Sequence, residues 1–144
     1  MIEMTGDLFT STAPAIGHGI NLQGKMGAGI AVQFKKRFPK MYESYVYACK
    51  TYALLPGIVL IYDAETPIVY NIASQDLPGA NARLEWLEAG LRSTLQDAQT
   101  RELDRVALPL IGCGIGGLSE ADVVPLLEKL ESEYKPEIEL WRFQ

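Results

Sequence analysis

Two glycine-rich stretches hold the residues best placed to do chemistry in this chain of 144 residues. One is Asn21-Leu22-Gln23-Gly24-Lys25-Met26-Gly27-Ala28-Gly29-Ile30-Ala31, and the other is Leu110-Ile111-Gly112-Cys113-Gly114-Ile115-Gly116-Gly117-Leu118. Glycine tolerates positive φ and lets the backbone approach a ligand, so consecutive N–H groups can point at phosphate oxygens. A helix starting just after such a loop adds partial positive charge at its N-terminus. The alternative, that these glycines only make tight strand-to-helix turns, is the weaker reading for either loop and weaker still for both. Two such loops in one short chain suit a diphosphate with a sugar at each end.

Other reactive residues are few. Gly112, Gly114 and Gly117 also fit G-x-G-x-x-G, with Glu139 further on, but only one helix and one strand follow, too little for a dinucleotide domain. His18, the only histidine, sits in an apolar run and reads as a core residue. A Cys113–His18 hydrolase would need a nucleophile elbow that the sequence lacks. Cys49 and Cys113 make neither a metal-ligand cluster nor a disulfide framework, so neither metal nor cofactor is expected. Asp7 after Gly6 fits an Asx turn as well as a ligand acceptor, and Asp76 in Gln75-Asp76-Leu77-Pro78-Gly79 fits a turn as well as a base.

The elements that must carry these loops follow from periodicity and breakers. Strands are expected at Glu3 to Phe9, Ala15 to Ile20, Gly57 to Tyr62, Ile68 to Ala73, Arg105 to Leu110 and Ile138 to Phe143. Helices are expected from Ala28 to Phe38, over Met41 to Tyr52, after an Asn81 cap with Leu84, Leu87, Leu91 and Leu95 as its stripe, and from Ser119 to Tyr134. Ser119 with Asp122 resembles a capping box, with Leu118 stapling to Val123. Such alternation predicts an α/β domain of three layers with a mixed, largely parallel sheet, and ligands beyond the strand C-termini.

Composition narrows the partners. The net charge is −5, and the one basic cluster, Lys35-Lys36-Arg37 with Lys40, reads as a solvated helix face. A grip on a nucleic-acid backbone is therefore not expected, and an anion must be held by backbone N–H groups and helix ends. With 48% hydrophobic residues and 22% charged, the chain has ordinary globular proportions. No apolar run approaches the ~20 residues of a membrane helix, and Met1-Ile2-Glu3-Met4 is no basic leader. The expectation is one cytoplasmic domain over residues 1–144, a monomer without a membrane partner.

Several motifs together resemble a known family. His18-Gly19-Ile20-Asn21, the Gly24-to-Ala31 run and Phe34-Lys35-Lys36 are similar to the first ligand loop and helix of macrodomains. Gly6-Asp7-Leu8-Phe9 and Pro109-Leu110-Ile111-Gly112-Cys113-Gly114 resemble the subgroup of the terminal ADP-ribose protein glycohydrolase and the antitoxins that remove ADP-ribose from DNA. The resemblance implies a three-layer α/β/α macrodomain with ADP-ribose, or an ADP-ribosylated substrate, as its ligand, and nucleic acid only as such a modified substrate. It implies adenine near Asp7 and Leu8, walled by Trp141 and Phe143. The distal ribose would lie at Asn21, Met26, Gly27, Ala28, Gly29 and Ile30, and the diphosphate at Ile111, Gly112, Cys113, Gly114, Ile115, Gly116 and Gly117.

The departures bear on catalysis. By this resemblance Ser74 stands where the glycohydrolases carry a lysine, and Gly116 where they carry an aspartate. Neither residue can supply an amine nucleophile or a titrating acid. Asn21 and Asp76 are the remaining catalytic candidates, Asn21 to orient a hydroxyl or water and Asp76 to act as a base. Two classes of function follow: a hydrolase of an ADP-ribosyl bond that dispenses with the lysine, favoured by a stand-alone domain, and a non-catalytic ADP-ribose-binding module, favoured by the missing pair.

Overall fold

The computed structural model describes residues 1–143. Its strands are β1 (Ile2–Thr5), β2 (Ala15–Ile20), β3 (Val59–Tyr62), β4 (Ile68–Ala73), β5 (Arg105–Pro109) and β6 (Glu137–Arg142). Its helices are α1 (Ala31–Arg37), α2 (Pro39–Lys50), α3 (Leu84–Thr100) and α4 (Glu120–Glu133). The sheet order is β1-β6-β5-β2-β4-β3, with every neighbouring pair parallel except β3 against β4. This is the mixed, largely parallel sheet that the alternating pattern predicts.

Each face of the sheet carries its own core. Ile16, Ile20, Val69 and Ala73 pack under Phe34, Phe38, Met41 and Tyr45 of α1 and α2. Tyr70, Ile72, Leu108 and Leu140 pack under Leu87, Leu91 and Leu95 of α3 and Val123, Leu127 and Leu130 of α4. Three layers follow, because strands buried on both faces need helices on both. No helix among the described residues is long and apolar enough to cross a membrane.

The chain leaves β2 for the helices of one face and leaves β5 for α4 on the other. Between these two strands the direction of winding switches, and a crevice opens at their carboxyl ends. The pairing agrees: β2 and β4 are in register over six positions, whereas β2 meets β5 at one, Ile16 with Ala107.

Several boundaries differ from expectation. Helix α1 begins at Ala31, not Ala28, because Gly29, at φ 63°, turns the chain first. Arg83 stands at the N-cap position of α3 without a side-chain cap bond, while Asn81 donates its side-chain amide to the Pro78 carbonyl at 2.8 Å. Ser119 does cap α4, its hydroxyl accepting the Ala121 N–H at 3.1 Å. β1 stops at Thr5, and a short 3-10 turn, Leu8–Thr10, follows; Asp7 caps it by accepting the Phe9 N–H at 2.9 Å.

Candidate functional site

A cleft of about 450 Å³ lies over the carboxyl ends of β2, β4 and β5. Its lining includes Gly19 to Asn21 and Lys25 to Ala31 from the first loop, Pro109 to Cys113 with Ile115 and Gly116 from the second, and Ser74, Gln75, Pro78 and Gly79 between them. Gly112, Gly114 and Gly117 have φ of 82°, 65° and 83°, a region that L side chains enter at a cost. A Cβ on Gly114 would meet nothing within 4 Å, so this residue borders open space. Ile115 reaches across to the first loop, its Cδ1 lying 3.3 Å from the Cβ position of Gly29.

One tyrosine organises the first loop. The Tyr45 hydroxyl lies 2.8 Å from both the carbonyl and the side-chain oxygen of Asn21, to which it donates, and it accepts the Lys25 N–H at 3.1 Å. Burial, above all, pushes its phenol well above the ordinary tyrosine range, so it stays a donor. Asn21 completes the loop by donating to the Lys25 carbonyl at 2.8 Å and accepting the Gln23 N–H at 2.9 Å. Its amide oxygen and one of its amide hydrogens thus serve its own loop, while the residue still lines the cleft. Tyr45→Phe should cost about 1–3 kcal/mol, because it strands buried polar groups. Denaturant titration checks the stability loss, and ligand titration should show weakened binding in the same variant.

Asp76 lies outside the cleft lining. Its exposed carboxylate accepts from Gln23 Nε2 at 3.1 Å, and its carbonyl accepts the Leu22 N–H at 3.0 Å. It therefore ties the first loop to the segment after β4 and does not face the space it would have to serve as a base.

Ser74 lines the cleft with little of its surface, being 1% exposed. Its hydroxyl packs on Gly19, where a Cβ would come within 2.6 Å of it. The next residue, Gln75, faces Gly116: its Oε1 stands 3.4 Å from the Cβ position there. Gln75 Nε2 donates to the carbonyls of Leu77 at 2.7 Å and Gly79 at 3.0 Å. A lysine facing an acid at Gly116 would thus stand at Gln75, one residue beyond Ser74. A side chain at Gly116 would also crowd Ala82, at 3.1 Å.

The residues expected around adenine lie one step along the same sheet edge, at the ends of β1 and β6, outside the cleft lining. Trp141 turns inward, and its Nε1 donates to Glu139 at 2.9 Å. It cannot offer a face to a base. Phe143, beyond the strand, is 92% exposed. Asp7 is exposed and Leu8 buried in the core of the α1–α2 face. Glu139 also accepts from Ser11 at 2.6 Å and pairs with Arg105, which anchors the Asp7 turn to the sheet.

His18 and Cys113 form no catalytic pair. The His18 ring stacks on Phe34 at 3.7 Å between centroids, donates from Nε2 to Asn71 Oδ1 at 2.7 Å, and leaves Nδ1 without a partner. Burial, more than any other effect, lowers its pKa to about 4. Cys113 is a cleft residue whose thiol is pushed up by burial, away from the thiolate a nucleophile needs. Among the described residues no group of three His, Cys, Asp or Glu side chains is arranged to hold a metal ion.

The Macro domain family model matches residues 18–127, the stretch that holds both loops. The chain belongs to the Macro domain family. A "DNA ADP-ribosyl glycohydrolase" of Thermus aquaticus is 31% identical over 147 residues, covering 96% of this chain and 39% of that protein. The solved macrodomain of Thermus aquaticus DarG superposes with a TM-score of 0.87 at 29% identity, over 98% of this chain and 97% of that one. An "ADP-ribose 1″-phosphate phosphatase" of Candida albicans is 27% identical, over 88% of this chain and 91% of that protein. A Thermosipho africanus DarTG structure in complex with ADP-ribose shares the fold, with a TM-score of 0.87 at 22% identity, over 100% of this chain and 42% of that one. The macrodomain thus spans about two fifths of the length of the glycohydrolase it matches.

Residue type and spacing alone do not single out Tyr45 or Gln75. Tyr45 falls on a helical apolar stripe, and only the fold brings its hydroxyl to the loop. Gln75 carries a faint signal, a polar residue directly after a buried strand and before a Pro-Gly turn.

Proposed function

We propose that the cleft holds an ADP-ribosyl group and that the protein hydrolyses the bond linking it to a larger substrate. The observation that carries this reading is the pair of backbone loops, five of whose glycines have positive φ, flanking one crevice at parallel strand ends. The diphosphate lies along Gly112 to Gly117, the distal ribose along the loop braced by Tyr45, and adenine toward exposed Phe143 and Asp7. Hydrolysis adds water at the anomeric carbon of that ribose, breaks its bond to the leaving group, and passes a proton to that group. DNA carrying ADP-ribose is the first substrate class, in line with the Thermus relative's name.

Calorimetry should give micromolar affinity for ADP-ribose, about −7 to −9 kcal/mol, with AMP weaker because it leaves the distal loop empty. No heat at millimolar ADP-ribose removes the reading. Side-by-side incubation with ADP-ribosylated DNA, ADP-ribosylated protein and ADP-ribose 1″-phosphate then reports the linkage cleaved.

Turnover proceeds without a lysine adduct. Lys25 is the one lysine among the described cleft residues, and it is exposed to solvent. Borohydride reduction in the presence of ADP-ribose should therefore leave the protein mass unchanged, and a single labelled lysine contradicts this route. A second reading, binding without turnover, draws on one observation: the floor presents Gln75 and Gly116, neither a nucleophile nor an acid.

A further inference from the structure

We infer that Gln75 makes the distal end of the cleft selective for a neutral hydrogen-bond donor at the anomeric carbon, a hydroxyl or N–H, and against a phosphate there. The inference rests on the ADP-ribosyl reading of the cleft and deepens it by choosing among linkages.

An amide side chain can ordinarily turn over and offer either its oxygen or its nitrogen. Gln75 cannot do so without loss. Both Nε2 hydrogens are taken, by the carbonyls of Leu77 at 2.7 Å and Gly79 at 3.0 Å. A flip would set the amide oxygen against two carbonyl oxygens. Oε1 is therefore held on the cleft side, near Gly116, with no donor assigned to it among the described hydrogen bonds. The same stretch adjoins the first loop through the Leu22–Asp76 and Gln23–Asp76 bonds, so this acceptor stands at the distal-ribose end.

An acceptor fixed in this way rewards a donor and opposes an acceptor. A phosphate monoester near neutral pH carries about −1.5 to −2 charges and only acceptor oxygens toward such a group. Nearby charge does not rescue it. Lys25, the one cation among the described lining residues, is solvent-exposed, as is Asp76 outside the lining, and screening weakens the reach of both.

The test compares three ligands by calorimetry, namely ADP-ribose, ADP-ribose 1″-phosphate and ADP, on the wild type, Gln75→Lys and Gln75→Met. ADP ends before the distal ribose and reports whether the cleft is intact. The wild type should bind ADP-ribose about tenfold more tightly than its 1″-phosphate, the ratio expected from one hydrogen bond gained and one repulsion avoided. Gln75→Lys should reverse that preference, and Gln75→Met should reduce it to about threefold or less. ADP affinity should agree within about twofold across all three proteins. A wild type that takes the 1″-phosphate as well as ADP-ribose overturns the inference, as does a preference independent of residue 75. A variant that loses ADP has lost the cleft, and the wild-type ratio then decides alone. A wild type that binds none of the three overturns the ADP-ribosyl assignment itself, and this inference with it.

Discussion

Gly114→Glu is expected to abolish ADP-ribose binding and leave the fold standing. Gly114 lies in the second loop at φ 65°, and its missing Cβ faces open space. A glutamate there meets no protein atom that would force the core to move. It extends into open space beside the cleft lining and sets a carboxylate on the loop proposed to hold the diphosphate. The positive φ costs an L residue roughly 1–2 kcal/mol locally, which a domain of this size should absorb. The affinity loss should exceed about 100-fold, or roughly 3 kcal/mol. Circular dichroism and melting should resemble wild type while calorimetry shows no heat. Wild-type affinity in a folded variant would contradict the diphosphate assignment. The neighbouring glycines make poorer tests: a Cβ on Gly112 would lie 2.6 Å from Leu118 and one on Gly117 3.0 Å from Ala80, so loss of binding there would mix packing with ligand effects.

The second large effect is expected on acidification. His18 is fully buried, stacked on Phe34, and its pKa is lowered to about 4 from an ordinary 6.5. Between those values the unfolded chain binds a proton that the native one refuses. Stability is therefore complete above pH 6.5, falls as pH drops toward 4, and changes no further through this group below about 4. The span corresponds to about 3 kcal/mol. Carboxylates titrate in the same range, so the comparison needs His18→Gln, which keeps a donor for Asn71 and does not titrate. Denaturant midpoints from pH 7 to pH 4 should fall more steeply in the wild type. Parallel curves would mean that His18 is not buried as a neutral ring.

Much of the scaffold is legible because its signals are local. Ala15–Ile20 and Ile68–Ala73 are apolar runs with breakers at their edges, and the strands occupy those residues. The α3 stripe of Leu84, Leu87, Leu91 and Leu95 marks a helix, but its start does not read correctly, because Asn81 spends its amide on the turn at Pro78. The glycine loops announce a ligand by composition. What they do not announce is which neighbours hold them. Asn21, chosen for its amide, turns that amide into the loop, and Asp76, chosen for its carboxylate, points elsewhere. Trp141 is selected by type, yet strand alternation and the Glu139 carboxylate carry it inward. These outcomes depend on contacts between residues far apart in sequence, which periodicity does not encode.

The pairing of β1 with β6 sets an order on how the molecule can be made. Ile2 to Thr5 have no strand neighbour except Glu139 to Arg142, and Ser11 is fastened to Glu139 as well. A chain emerging from the ribosome must therefore hold its first strand unmated until residue 142 is out. At about 5–20 residues per second, that wait is on the order of ten seconds. Helices α1 to α3 and the β2–β4–β3 half can assemble during this interval, but the Asp7 turn cannot be anchored. Pairing of Glu139 to Arg142 is thus the step that completes the edge proposed to receive adenine, and a nascent chain stalled before it leaves Ile2 to Thr5 unpaired.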